Sequence, residues 1–166
     1  MRPPATGLII TVLSVLPSPL VGSPVDREKF KALRKLPGKE IDVDIEFSMR
    51  RNTPDHIVSF ERVPVNNSLG IDVVAGGEYN RKTGRLTIYF ALRESRKHIC
   101  RFCVNGAIHA DVGRTHKHEL MEEGDLLSDL PHAKRREDLE QLSPRQVWET
   151  VCTQAGIRHN GNFVDP

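Results

Sequence analysis

Cysteine is scarce in this chain. Only Cys100, Cys103 and Cys152 occur in 166 residues. An odd, low count argues against a secreted disulfide scaffold, which small extracellular domains use when their cores are thin. A reducing compartment is the simpler reading, so a cytoplasmic location is expected. Long apolar runs are also lacking. The one candidate, Gly7–Leu16, follows Arg2 and has the length of a signal-peptide core. It is too short to span a bilayer, so no transmembrane span is expected. The proline-rich stretch behind it is a poor cleavage region. Residues 1–25 therefore read as a leader outside the fold, disordered or signal-like, with export as the alternative if it is a signal.

Charge of one sign is lacking too. The formal net charge is +2, too small to imply nucleic acid from bulk charge alone. Charged residues make up 28% and apolar residues 38%, an ordinary globular balance. No internal repeat is present. Length and composition together indicate one domain, residues 26–162, with a tail at 163–166.

Hydrophobic periodicity gives the expected elements. Asp26–Leu36 reads as a helix stopped by Pro37 and Gly38. Ile41–Met49 alternates without a break, the pattern of a half-buried strand. Ile57–Val63 and Leu69–Val74 follow as strands, and Pro64 marks an end or an edge. The turn at Asn80–Gly84 leads into a strand at Arg85–Arg93. Ile99–Val104 and Ala107–Val112 flank Asn105 and Gly106, the strongest short hairpin signal. Arg114–Met121 reads as a further strand. Lys134–Leu142 reads as a charged helix or partial helix. Ser143 to Gln146 forms a capping box with Pro144 at the first helical position, and Gly156 closes that helix. The expected fold is α+β: an antiparallel sheet or small open barrel of about six strands, with an N-terminal helix and one or two C-terminal helices.

The candidate site is the histidine-rich stretch from His109 to His118. A two-residue turn at Asn105 and Gly106 pairs Phe102 with His109 and Cys100 with Asp111, which sets His109 and Asp111 on one face. His116 and His118 share a face of the next strand. If the strands are adjacent, His109, Asp111, His116 and His118 converge. Three imidazoles and a carboxylate suit zinc or another divalent transition metal. Alternatively, His109, His116 and His118 act on a phosphodiester as general acid and base, with Arg101, Arg114 and Lys117 binding phosphate. A third reading assigns no chemistry, since histidines on an exposed strand also serve to resist aggregation.

Other motifs carry less. His116, His118 and Glu122 make part of a cupin pattern, but its glycine and second motif are missing. Cys100 and Cys103 sit three apart on a strand and point to opposite faces, so they cannot chelate together without a bulge. Both read as buried structural cysteines, as does Cys152 on its helical stripe. Arg101 is expected on an otherwise apolar face, in an ion pair or binding an anion. Trp148 is expected in the core.

The run Ile99, Cys100, Arg101, Phe102, then Val104, Asn105, Gly106, His109, and then Thr115, His116 and His118, resembles a family of small uncharacterised prokaryotic proteins. The ending His116, Lys117, His118 is more loosely similar to TumE-type toxins of toxin–antitoxin pairs. The resemblance covers residues 70–157 and implies a small accessory protein acting on RNA, with RNA and a cognate antitoxin as partners. The first functional expectation is therefore a toxin-like ribonuclease. The alternatives are a metal-binding β domain and a non-catalytic interaction module.

Overall fold

The computed structural model describes residues 32–94, 96, 98–109, 111–119 and 132–166. The expected leader, the first part of the expected N-terminal helix and Glu122 lie outside them. Residues 32–35 are helical. Nine strands follow among the described residues: β1 (Lys39–Ile41), β2 (Ser48–Met49), β3 (Ile57–Val65), β4 (Val73–Asn80), β5 (Arg85–Leu92), β6 (His98–Val104), β7 (His116–Glu119), β8 (His132–Arg135) and β9 (Ile157–His159). One helix, α1 (Pro144–Ala155), lies between β8 and β9, after a short 3-10 turn at Glu137–Leu139. Strands β2 to β8 form one seven-stranded antiparallel sheet in chain order. The sheet is open, so the antiparallel sheet is the form adopted and the barrel is not. β1 and β9 pair in parallel as a separate two-stranded sheet.

One face of the large sheet carries the core. Leu86, Ile88 and Phe90 of β5 stand beside Phe102 and Val104 of β6, with Phe60 of β3 above the small residues of β4. Helix α1 lays Val147, Trp148, Val151 and Cys152 against this face. The Trp148 ring meets Phe60, Phe90 and Phe163 at centroid distances of 5.7, 6.5 and 5.7 Å. Phe163, in the expected tail, is thus part of the core. The capping box expected at Ser143 is formed: its hydroxyl accepts from the Gln146 amide, and Gly156 closes the helix in the left-handed conformation at φ 62°.

Several expected elements take a different form. The continuous strand at 41–49 is broken into β1, a bridge at Ile45 and β2. Ile41 and Ile45 are buried, whereas Val43 and Met49 are exposed. This segment bonds to the C-terminal strand region instead of alternating along one sheet. Asn160 N–H donates to the Ile41 carbonyl, Ile45 N–H to that of Asn162, and the Asp44 carboxylate accepts from the Asn162 amide. The strand expected at 69–74 starts only at Val73, because Asn67 bonds Ile71 through its side chain and Gly70 sits at φ 65° in a turn. The helix expected at 134–142 is β8 plus the 3-10 turn. There the pairing of His116 with Arg135 and Lys117 with Lys134 overrides a helix-favouring composition. Pro64 lies within β3, in the part that β2 does not reach.

Candidate functional site

The face of the sheet opposite α1 is polar, and strand register lines its side chains up in rows. In one row Ser59, Glu78, Thr87, Cys103 and His116 each stand directly opposite the next, across β3 to β7. In the neighbouring row Gly76, Tyr89, Arg101 and His118 do the same across β4 to β7. Because side chains on a strand alternate, residues two apart on β6 and β7 point the same way. Arg101 and Cys103 therefore meet His118 and His116. Arg101 lies on this polar face, not on the apolar face expected for it.

The three imidazoles converge. Ring centroids lie 4.5 Å apart for His109 and His116, 4.9 Å for His116 and His118, and 5.6 Å for His109 and His118. The ligating atoms of Cys103, His116 and His118 all fall within 4.8 Å of one another. His116 is 1% exposed, and among the described residues neither of its ring nitrogens has a hydrogen-bond partner. Burial first, then the neighbouring His118 and His109, pushes its pKa down to about 4; the Gly113 carbonyl, near the ring but outside hydrogen-bond geometry, pulls the other way. The ring is thus neutral at physiological pH, with a lone pair available. His118 is 4% exposed, and its Nε2 lies 3.3 Å from Nη2 of Arg101. Burial raises the Cys103 thiol, with Arg101 and Arg85 partly offsetting it.

This donor set fits a zinc-class ion. One thiolate sulfur and two imidazole nitrogens are its usual ligands, with ligand atoms ~3.5 Å apart around a tetrahedral centre. Closing a 4.8 Å cluster onto an ion takes side-chain shifts of about 1 Å. Binding would deprotonate Cys103, as a metal does to any coordinating thiol.

The expected residues are distributed unevenly. His109, His116 and His118 come together, but by a route other than the expected hairpin. Phe102 does not pair with His109, nor Cys100 with Asp111: β6 pairs with β7, Cys103 opposite His116. A type I′ turn needs positive φ at both central residues, and only Asn105 has it, at 53°. Gly106 instead donates its N–H to the Arg114 carbonyl at 2.8 Å, and a Cβ there would press on Cys103. The chain then makes a tight turn from His109 to Gly113, their backbones bonding both ways at 3.2 and 2.9 Å. His109 is exposed at the rim of the cluster. Asp111 is exposed on that turn and does not line the pocket, so the expected carboxylate is replaced by Cys103. Arg114 is exposed and also outside the pocket lining. Lys117 belongs to the other face, its ammonium 5.2 Å from the centre of the Phe102 ring. Cys100 packs on the core side and Cys103 on the pocket side, which bears out their expected opposition.

The cluster forms one end of a pocket of about 410 Å³ that extends toward β3. Its far end holds an Arg50–Glu61 ion pair at the bulge of β3. Between the ends lie Glu78, Arg85, Tyr89 and His98, none of which the sequence pattern singled out. The Tyr89 ring lies over Gly76, where any Cβ would collide with it, and stacks on His98 at 4.7 Å. The signal that could have found these residues is alternation on β5 and β6, read together with the true register of β7.

Fold and pocket together define an open antiparallel α+β protein with a thiol–imidazole cluster on its free face. No protein-family model, curated protein or solved structure matches the chain. Among the described residues no helix is long and apolar enough to cross a membrane.

Proposed function

We propose that this chain binds a divalent transition metal of the zinc class through Cys103, His116 and His118, in a pocket open to a small-molecule ligand. The observation that carries this is His116. It is buried, neutral and without a hydrogen-bond partner among the described residues, and it sits beside a thiol and a second buried imidazole. Each unsatisfied nitrogen of a buried imidazole costs about 1–3 kcal/mol, and a metal ion removes that cost at the nitrogen whose lone pair it takes. Three protein ligands next to an open pocket follow the pattern of a catalytic centre, which keeps a coordination position free. His109, exposed at the rim and not one of the three residues whose donor atoms fall within 4.8 Å, serves as an outer ring rather than a ligand.

Elemental analysis of protein purified without chelator tests this. About one ion per chain is expected. Cobalt substitution should give a thiolate-to-metal absorption band that Cys103→Ser abolishes, and His116→Ala should lose the metal. His109→Ala should retain it. Stoichiometric metal missing from wild-type protein, together with no cobalt band, would overturn the assignment.

A second reading uses the same imidazoles for phosphodiester cleavage, with His109 and His118 as the acid–base pair. The exposure of His109 at the pocket mouth favours it, since a polymer must reach the reacting rings. It requires RNA cleavage that survives chelator and is lost in His109→Ala.

A further inference from the structure

A thiolate that ligates a metal keeps lone pairs the ion does not use. In a buried site those lone pairs need donors from the protein, because water does not reach them. Cys103 is 7% exposed. Register puts Thr87 of β5 directly opposite it, on the same face of the sheet. The Cβ atoms of such a pair lie about 4.5–5.5 Å apart. Oγ1 and Sγ are each one bond further out, so the hydroxyl and the sulfur are neighbours.

The Thr87 hydroxyl is nevertheless idle. Its oxygen is buried and has no hydrogen-bond partner among the described residues. It is near enough to draw the Cys103 thiol down against burial, yet outside hydrogen-bond geometry. A neutral thiol sulfur is a weak acceptor and gives the hydroxyl little to turn toward. Ionised by a metal, the same sulfur carries a charge, and hydrogen bonds to charged groups are about twice as strong. The hydroxyl proton reaches it by rotation about the C–O bond. Glu78 of β4 stands on the other side of Thr87, but one proton serves one acceptor. Water satisfies the half-buried Glu78 and not the buried sulfur. A purely structural role does not explain the hydroxyl, since valine has the same shape and leaves no buried polar group unsatisfied.

We propose that Thr87 is a positioning residue of the metal centre, its hydroxyl donating to the Cys103 thiolate when an ion is bound. The proposal rests on the metal reading above. The bond fixes the direction of the sulfur and moderates its electron donation, as outer partners of metal ligands do.

The experiment titrates the full chain with cobalt and compares Thr87→Val and Thr87→Ser with wild type. Thr87→Val should bind cobalt about ten-fold more weakly. Its thiolate-to-cobalt band should move to longer wavelength, because a sulfur without its donor gives up an electron more easily. Thr87→Ser, which keeps the hydroxyl, should restore both affinity and band. In chelator, Thr87→Val should melt no lower than wild type, since it loses only an unpartnered hydroxyl. Thr87→Ala replaces the valine variant in the cobalt measurements if that one does not fold. An unmoved band in the variants without the hydroxyl overturns the proposal and leaves the metal site standing, whatever their affinity. So does a serine variant as impaired as the valine one, or a valine variant clearly less stable without metal. No cobalt binding by wild-type protein removes the metal reading and this proposal together.

Discussion

His116 ties the first part of the acid limb of stability to one ring. An unfolded histidine titrates near 6.5, and the folded ring is held at about 4. Between those values the unfolded chain binds a proton that the folded chain refuses, so stability falls as pH falls through that window. In metal-free protein the loss should reach about 1–3 kcal/mol between pH 6.5 and 4. Chemical denaturation in chelator at several pH values measures it, and His116→Gln should flatten the slope. An unchanged slope in that variant would assign the acid loss elsewhere. Asp42 and Asp138, both held below the usual carboxylate range by side-chain hydrogen bonds, add their own loss only at lower pH. A second residue-scale test is Gly76→Ala, which must push the Tyr89 ring off the sheet. A destabilisation of about 1–3 kcal/mol is expected, the usual cost of overpacking. At this scale the sequence was partly readable. The spacing of His116 and His118 places both rings on one side of any strand. Cys103 and Arg101 were not readable as their neighbours, because that depends on register with a strand whose connection is not a tight turn.

Among the elements, α1 shows what local rules can specify. Its start, stop and buried stripe all follow from the chain between Ser143 and Gly156, since caps and periodicity are written within a few residues. Ser143→Ala removes one side of the capping box and should cost about 1 kcal/mol in denaturant unfolding, with the helix otherwise intact. Trp148→Ala should cost about 3–5 kcal/mol, since the ring meets those of Phe60, Phe90, Phe163 and His159. The strands behave differently. Asn105 and Gly106 looked like a hairpin because their chemistry permits one, yet Gly106 serves as a close-packed neighbour of Cys103. The segment at 134–135 looked helical because Lys and Arg favour helix, yet pairing with β7 makes it strand. Both misreadings have one cause. A local preference worth a few tenths of a kcal/mol yields when pairing with a distant strand satisfies a whole row of backbone groups.

At the scale of the whole molecule, the helix and the cluster lie on opposite faces of one sheet, and the two are stabilised by different means. The α1 side has an aromatic core. The β6–β7 side has a short pairing of four residues per strand and a buried ring with no hydrogen-bond partner among the described residues. A metal held by Cys103 on β6 and by His116 and His118 on β7 would staple the weaker half. An ion that binds only the folded state adds RT ln(1 + [ion]/Kd), or about 2.7 kcal/mol at a hundred-fold excess over Kd. For a domain of this size that raises the melting temperature by about 5–10 °C. The rise should vanish in Cys103→Ser and His116→Ala, while Trp148→Phe, which loosens only the other face, should lower the baseline and keep the increment. Hydrogen exchange locates the effect. Zinc should slow exchange most at the amides of β6 and β7 and least in α1. If protection instead rises evenly over the sheet, or the variants respond to zinc as the wild type does, the ion is binding somewhere other than across these two strands.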